Sequence, residues 1–121
     1  MIRARRLIKS FFYAYRGLLK VFREEQNIRI QLMAALVTAA AGIFYRISRT
    51  EWFFMAFAFT LVFLMEIINS AIERTADVLK PRIDSYVKEI KDIMAGAVML
   101  SAAMCLVAGL VIFLPYIFGG L

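Results

Sequence analysis

An all-α integral-membrane bundle, with three spanning helices and one amphipathic helix lying along the lipid surface, is the fold class this sequence predicts. Three observations carry that expectation. Hydrophobic residues make up 63% of only 121 residues, with a mean hydropathy of +0.76. That is more apolar surface than so small a soluble domain can bury, so lipid must act as part of the solvent. No charged residue occurs between Ile93 and Leu121, and only Glu66 interrupts the stretch from Trp52 to Ile72. The cations are gathered into blocks: Arg3, Arg5, Arg6, Lys9, Arg16, Lys20, Arg23 and Arg29 in the first, and Arg74, Lys80, Arg82, Lys88 and Lys91 in the second.

Residues 2–23 predict the surface helix. Leu7, Ile8, Phe11, Phe12, Tyr15, Leu18, Leu19 and Phe22 recur at helical spacing, with Arg5, Arg6, Lys9, Arg16, Lys20 and Arg23 on the remaining face. Such a helix lies in the interface, aromatics toward the acyl chains and cations toward the headgroups. The first span follows over 30–46. Its uncharged part, from Ile30 to Tyr45, is about 24 Å long at 1.5 Å per residue, and Arg29 and Arg46 can snorkel to extend it. A tight connector, Arg46 to Glu51, offers Ser48 or Thr50 as an N-cap for the next helix.

The second span is expected over 52–79. The uncharged residues from Trp52 to Met65 are too few to cross a hydrocarbon layer of roughly 30 Å. The helix must therefore carry Glu66 within or near the hydrocarbon boundary. Pro81 should end it, and residues 81–90 read as a short polar link. The third span is expected over 93–114, stopping at Pro115. Only Arg46 and Arg49 lie on the far side of the first span. The positive-inside bias thus places the N-terminus and the residue-80 link in the cytoplasm and the C-terminus outside. The chain reads as a single unit, 1–121.

Composition also excludes chemistry. Without histidine there is no histidine triad and no common zinc motif. One cysteine, Cys105, cannot form an internal disulfide. The net charge of +6 raises nucleic acid as a partner, but basic blocks beside apolar spans fit cytoplasmic loops and anionic lipid instead, so no nucleic-acid partner is expected.

The informative stretch is Glu66-Ile67-Ile68-Asn69-Ser70-Ala71-Ile72-Glu73-Arg74-Thr75-Ala76-Asp77. On a helix, Glu66, Asn69, Ser70, Glu73 and Asp77 share one stripe. It descends from apolar surroundings at Glu66 toward water at Asp77. An ionisable group inside a span is a functional candidate by default, and Glu66 would suit a general base acting on an alcohol. Glu73, about two turns nearer the cytoplasm, is placed to hold a hard divalent cation, which usually takes one or two carboxylates plus phosphate oxygens. Glu24, Glu25, Lys91 and Asp92 lie at the same rim and supply a second carboxylate and a phosphate-pairing cation. Such a set meets the needs of phosphoryl transfer. No glycine-rich nucleotide loop is present, so a nucleotide site would be built from helix side chains. The same stripe also reads as interhelical glue, most readily at Ser70, or as the relay of a small non-enzymatic transporter.

The run Glu66-Ile67-Ile68-Asn69-Ser70-Ala71-Ile72-Glu73, followed by Asp77, resembles the signature of the bacterial diacylglycerol kinase family. Lys91-Asp92 falls where that family carries a lysine–aspartate pair, and the similarity extends over nearly the whole chain. The resemblance implies an ATP-dependent lipid kinase. Glu66 would be the base on the lipid hydroxyl and Asn69 would position it. Glu25 and Glu73 would hold Mg²⁺ on the ATP phosphates. Lys91 and Asp92 would contact the nucleotide, assisted by Arg6 and Tyr13, with Arg82, Ile83 and Asp84 nearby. A homotrimer in the plasma membrane is implied too. Ile28-Arg29-Ile30, Glu51-Trp52, Met94-Ala95-Gly96-Ala97-Val98 and the run from Gly109 to Pro115 resemble the Gram-positive branch, which prefers undecaprenol to diacylglycerol. Gln31 departs from that branch, where histidine is common.

Overall fold

The computed structural model describes residues 3–79 and 84–119. Within them four helices follow in order: α1 (Ala4–Glu24), α2 (Gln26–Tyr45), α3 (Arg49–Leu79) and α4 (Asp84–Ile117). The last three are long and apolar enough to cross a membrane. At 1.5 Å per residue, α3 is about 46 Å long and α4 about 51 Å, so both overrun a hydrocarbon layer of roughly 30 Å.

α3 and α4 form the principal packing pair, α2 lies against α3, and α1 touches α2 and α3. The α3–α4 pairing is antiparallel, since Glu51 and Tyr116 meet at one end and Asp77 and Lys91 at the other. The buried face of α3 reads Met55, Ala58, Val62, Glu66 and Ser70, one continuous helical stripe. It is apolar for its first half and polar for its second, so the same groove that packs the bundle also buries the carboxylate.

The apolar core lies at the α2–α3 turn. Ile47, Met55 and Ile112 are enclosed there by Tyr45, Trp52, Phe59, Ala108, Phe113 and Tyr116. Gly42 permits this closeness: a Cβ on it would lie 2.7 Å from Trp52 Cη2 and 3.1 Å from Ile47 Cδ1. The turn itself is built from paired caps. Arg46 takes the left-handed conformation at φ 52°. Its N–H donates to the Ile43 carbonyl, while the Ile47 N–H reaches the Gly42 carbonyl, the Schellman pattern. Ser48 then caps α3. The Glu51 N–H donates to Ser48 Oγ at 3.2 Å, and the Ser48 N–H donates to Glu51 Oε1 at 2.9 Å, a reciprocal capping box. Of the two expected caps, Ser48 takes the role.

Between α1 and α2 only Glu25 leaves the helical conformation, at φ −102° and ψ 113°. The corner is secured by Arg29 Nη1, which donates to the carbonyls of Arg23 at 2.6 Å and Phe22 at 3.5 Å. A guanidinium on the last carbonyls of a helix satisfies acceptors that have no helical partner.

Two expected boundaries move. Residues 84–90, expected as link, belong to α4, and the buried Val87 gives that segment an apolar hold on the bundle. The helix also runs through Pro115 to Ile117 instead of stopping there. Proline removes one donor in the last turns, and a bond beyond it survives: the Phe118 N–H still reaches the Leu114 carbonyl at 3.0 Å. Spanning helices tolerate such a loss. Pro81, the expected stop for α3, lies outside the described residues.

Candidate active site

Glu66 is 2% exposed. Its Oε1 accepts a hydrogen bond from Gln31 Nε2 of α2 at 3.0 Å. One turn onward Ser70 is 1% exposed. Its Oγ donates to Glu25 Oε1 at 3.1 Å and accepts from Arg74 Nε at 3.4 Å. Asn69 Nδ2 donates to Glu73 Oε1 at 3.4 Å, and Arg74 pairs with Glu24. The corner at Glu25 explains this convergence. An extended residue between two helices aims its carboxylate at α3, where a straight helix would have carried it around the axis.

Glu25 and Glu73 both lie within electrostatic range of Glu66 and of Arg74. Glu24, Glu25 and Glu73 therefore surround a single guanidinium from α3, with Glu66 buried above them. Interhelical polar contacts in membranes contribute about 1 kcal/mol each, too little to hold the bundle by themselves. Their effect is to fix rotamers: Ser70 orients Glu25 and Gln31 orients Glu66, while within α3 Asn69 orients Glu73. Outside the spans, the Arg74 guanidinium hydrogen-bonded to Glu24 holds that carboxyl below the usual carboxylate range.

A second cluster lies one turn beyond Glu73. Lys91 Nζ pairs with Asp77 Oδ1 at 2.8 Å, tying α4 to α3 at this end of the bundle. Asp92 is exposed and faces Lys88 of its own helix at 3.7 Å. Arg6 and Tyr13 are exposed on α1. Asp84 begins α4, and Arg82 and Ile83 lie outside the described residues.

Whether a metal suits these residues depends on its coordination habit. Among the described residues no three acidic or thiol side chains come together as a protein cage. Two carboxylates from different elements, Glu25 and Glu73, with an excess of negative charge around them, fit Mg²⁺, which commonly takes one or two carboxylates and completes its shell with phosphate oxygens and water.

Gln31, Ser70 and Arg74 are parts of this site that the sequence alone does not assign to it. Gln31 lies 35 residues from Glu66 and Arg74 lies 50 from Glu24, so neither pairing has a local signature. Ser70, read as interhelical glue, does join α3 to the α1–α2 corner.

The described helices form a bundle of three apolar helices with a buried carboxylate above a charged rim, and relatives identify what kind of protein this is. The family described as prokaryotic diacylglycerol kinase matches residues 12–113. The chain is 34% identical over 110 residues to an undecaprenol kinase of Bacillus subtilis (strain 168), covering 91% of this chain and 89% of that protein. It is 28% identical over 110 residues to a diacylglycerol kinase of Synechocystis sp., covering 90% of this chain and 63% of the relative. It is also 27% identical over 96 residues to a diacylglycerol kinase of Helicobacter pylori (strain J99), covering 79% and 75%. No solved structure matches. This protein is a membrane-bound lipid kinase, transferring phosphate to an alcohol. It belongs to the prokaryotic diacylglycerol kinase family, which sets aside the transporter reading of the stripe.

Proposed function

We propose that this chain phosphorylates the terminal hydroxyl of undecaprenol, using ATP, at the cytoplasmic face of a bacterial plasma membrane. The observation that carries the reading is the placement of Glu66. It is buried on the inward face of α3, with apolar residues one turn to one side and Glu73, Glu25 and Arg74 to the other. The undecaprenol kinase relative at 34% identity supports the choice of acceptor.

In this reading Glu66 takes the proton of the lipid hydroxyl as its oxygen attacks the γ-phosphorus, and ADP leaves. A positioned general base is worth about 10²- to 10⁴-fold in rate. Asn69 holds Glu73 in place and borders the reacting hydroxyl. Glu25 and Glu73 would hold Mg²⁺, which when bound neutralises charge on the phosphates. Lys91 supplies a cation to the nucleotide, exchanging part of its contact with Asp77 for phosphate. Asp92, Arg6, Tyr13 and residues 82–84 complete the nucleotide surface. Within one chain, Arg6, Tyr13 and Asp92 are exposed. That supports a homotrimer in which a neighbour completes each site. The apolar stripe of α1, exposed at Leu7, Ile8, Phe11, Phe12 and Tyr15, is suited to the membrane surface. The cation distribution favours a cytoplasmic N-terminus and an external C-terminus.

The test is direct. Purified protein in mixed micelles is given labelled ATP, Mg²⁺ and either undecaprenol or diacylglycerol. Labelled undecaprenyl phosphate is expected. Transfer to diacylglycerol with undecaprenol inert would reassign the acceptor, and no transfer to either would defeat the reading. Glu66→Gln should lower turnover at least 100-fold while nucleotide still binds by calorimetry. Glu73→Gln should raise the Mg²⁺ concentration needed for half-maximal rate, and an unchanged requirement would remove Glu73 from the metal site.

A further inference from the structure

Arg74 stands against both carboxylates proposed for the metal. Its guanidinium pairs with Glu24 and donates from Nε to Ser70 Oγ at 3.4 Å. The same hydroxyl donates to Glu25 Oε1 at 3.1 Å, and Glu73 is the preceding residue on α3. One candidate ligand is therefore next to Arg74 in the chain, and the other is one hydroxyl away. Glu24, Glu25 and Glu73 all act electrostatically on this guanidinium.

Two other cations near the site are placed differently. Arg29 donates to the carbonyls of Arg23 and Phe22, where it secures the α1–α2 corner. Lys91 holds Asp77 from α4. The Arg74–Glu24 pair is open to water, its side chains 44% and 49% exposed. Glu24 borders a recess of about 300 Å³ with Arg16, Lys20 and Arg23. Arg74 borders one of about 560 Å³ between α1 and α3, which Lys20 also lines. The guanidinium has room to turn there, and the surrounding cations favour a polyanion.

Magnitudes set the direction of any exchange. An exposed ion pair shifts an equilibrium by no more than about fivefold. A charge-assisted hydrogen bond to phosphate is worth about ten- to a hundredfold, and the guanidinium fork matches phosphate oxygens two at a time. Of the two partners, Glu24 is the weaker.

Resting on the lipid-kinase reading above, we propose that Arg74 is a phosphate-binding residue held in reserve by Glu24: when nucleotide enters, the guanidinium leaves the Glu24 carboxylate for the nucleotide's phosphates. Glu24 is then a competitor of the nucleotide, and its release loosens the tie between the end of α1 and α3. Arg74 acts on nucleotide binding and takes no part in the proton transfer at Glu66.

The two members of one ion pair should therefore act with opposite sign. The dissociation constant of the Mg²⁺ complex of the β,γ-imido analogue of ATP is measured by calorimetry in detergent, without acceptor lipid. Arg74→Gln should weaken binding about ten- to a hundredfold, and Arg74→Lys should recover part of the loss. Glu24→Gln should tighten binding by up to about fivefold. In an Arg74→Gln background Glu24→Gln should add nothing. Unchanged affinity in Arg74→Gln overturns the proposal. So does equal or weaker binding in Glu24→Gln, which would make the pair a structural tie only. A gain from Glu24→Gln that persists without Arg74 also overturns it, because removal of negative charge alone would then explain the effect. If Arg74→Gln does not fold, Glu24→Gln and Arg74→Lys still decide: equal or weaker binding in the first, or unchanged affinity in the second, overturns it. Absence of analogue binding in wild type is a separate result, which defeats the nucleotide site and this inference with it.

Discussion

At the scale of single residues, the site is organised by short polar side chains that orient long charged ones. Ser70 is the clearest case. It donates to Glu25 and accepts from Arg74, so one hydroxyl joins α3 to the α1–α2 corner. The Arg74–Glu24 pair belongs to the same set and is exposed to water. Its pH dependence has a definite sign. The guanidinium lowers the Glu24 value, so this tie is complete above the ordinary carboxylate range and is lost as pH falls through the lowered folded value. Protease sensitivity at the α1–α2 corner should therefore rise on acidification in wild type. In Glu24→Gln it should already be high at neutral pH and change little. Equal pH profiles would show that the pair does not tether α1.

At the scale of elements, α2 and α3 approach through Gly42 and Trp52. Gly42→Leu would drive side-chain carbon into the indole and into Ile47. Overpacking of this kind costs about 1–3 kcal/mol, measurable as a lower unfolding midpoint in detergent, whereas Gly17→Ala on open α1 should be nearly neutral. These contacts mark the limit of what could be read from the chain. The stripe from Glu66 to Asp77 was legible because five residues of one helix share a face whatever surrounds them. Ser48 as a cap was legible because the capping box is local. The Gln31–Glu66 bond was not, since it depends on the relative rotation of two helices. The continuation through Pro115 was missed for a related reason. A proline stop assumes that the lost bond must be replaced, and a helix already packed against α3 holds its course without it.

At the scale of the molecule, much apolar surface remains outside the core. Phe53, Phe54 and Phe57 on α3 and Met99, Leu100 and Leu106 on α4 are exposed within the single chain. Lipid covers part of such a surface, and a homotrimer would cover more. Chemical cross-linking in native membranes should give a ladder ending at three chains, and a ladder ending at one would dismiss shared sites. Complementation offers a second measurement at this scale. If a neighbour completes each site, co-expressed Glu66→Gln and Asp92→Asn chains, each inactive alone, should recover partial turnover in mixed trimers. No recovery would place both residues in the same subunit's site.

The unbroken run of α3 from Arg49 to Leu79 has one more consequence. Glu66 and Glu73 are joined by two turns of a single rod, which fixes their spacing along the axis at about 10.5 Å. In the proposed reading that spacing is a ruler between the place where a proton is taken and the place where charge is held. A ruler tolerates changes of surface and not of length. Replacing Ile68 by leucine should leave turnover nearly intact. Inserting one alanine after Ile68 turns everything beyond it by about 100° and should silence the enzyme even though every side chain named in its chemistry is still present.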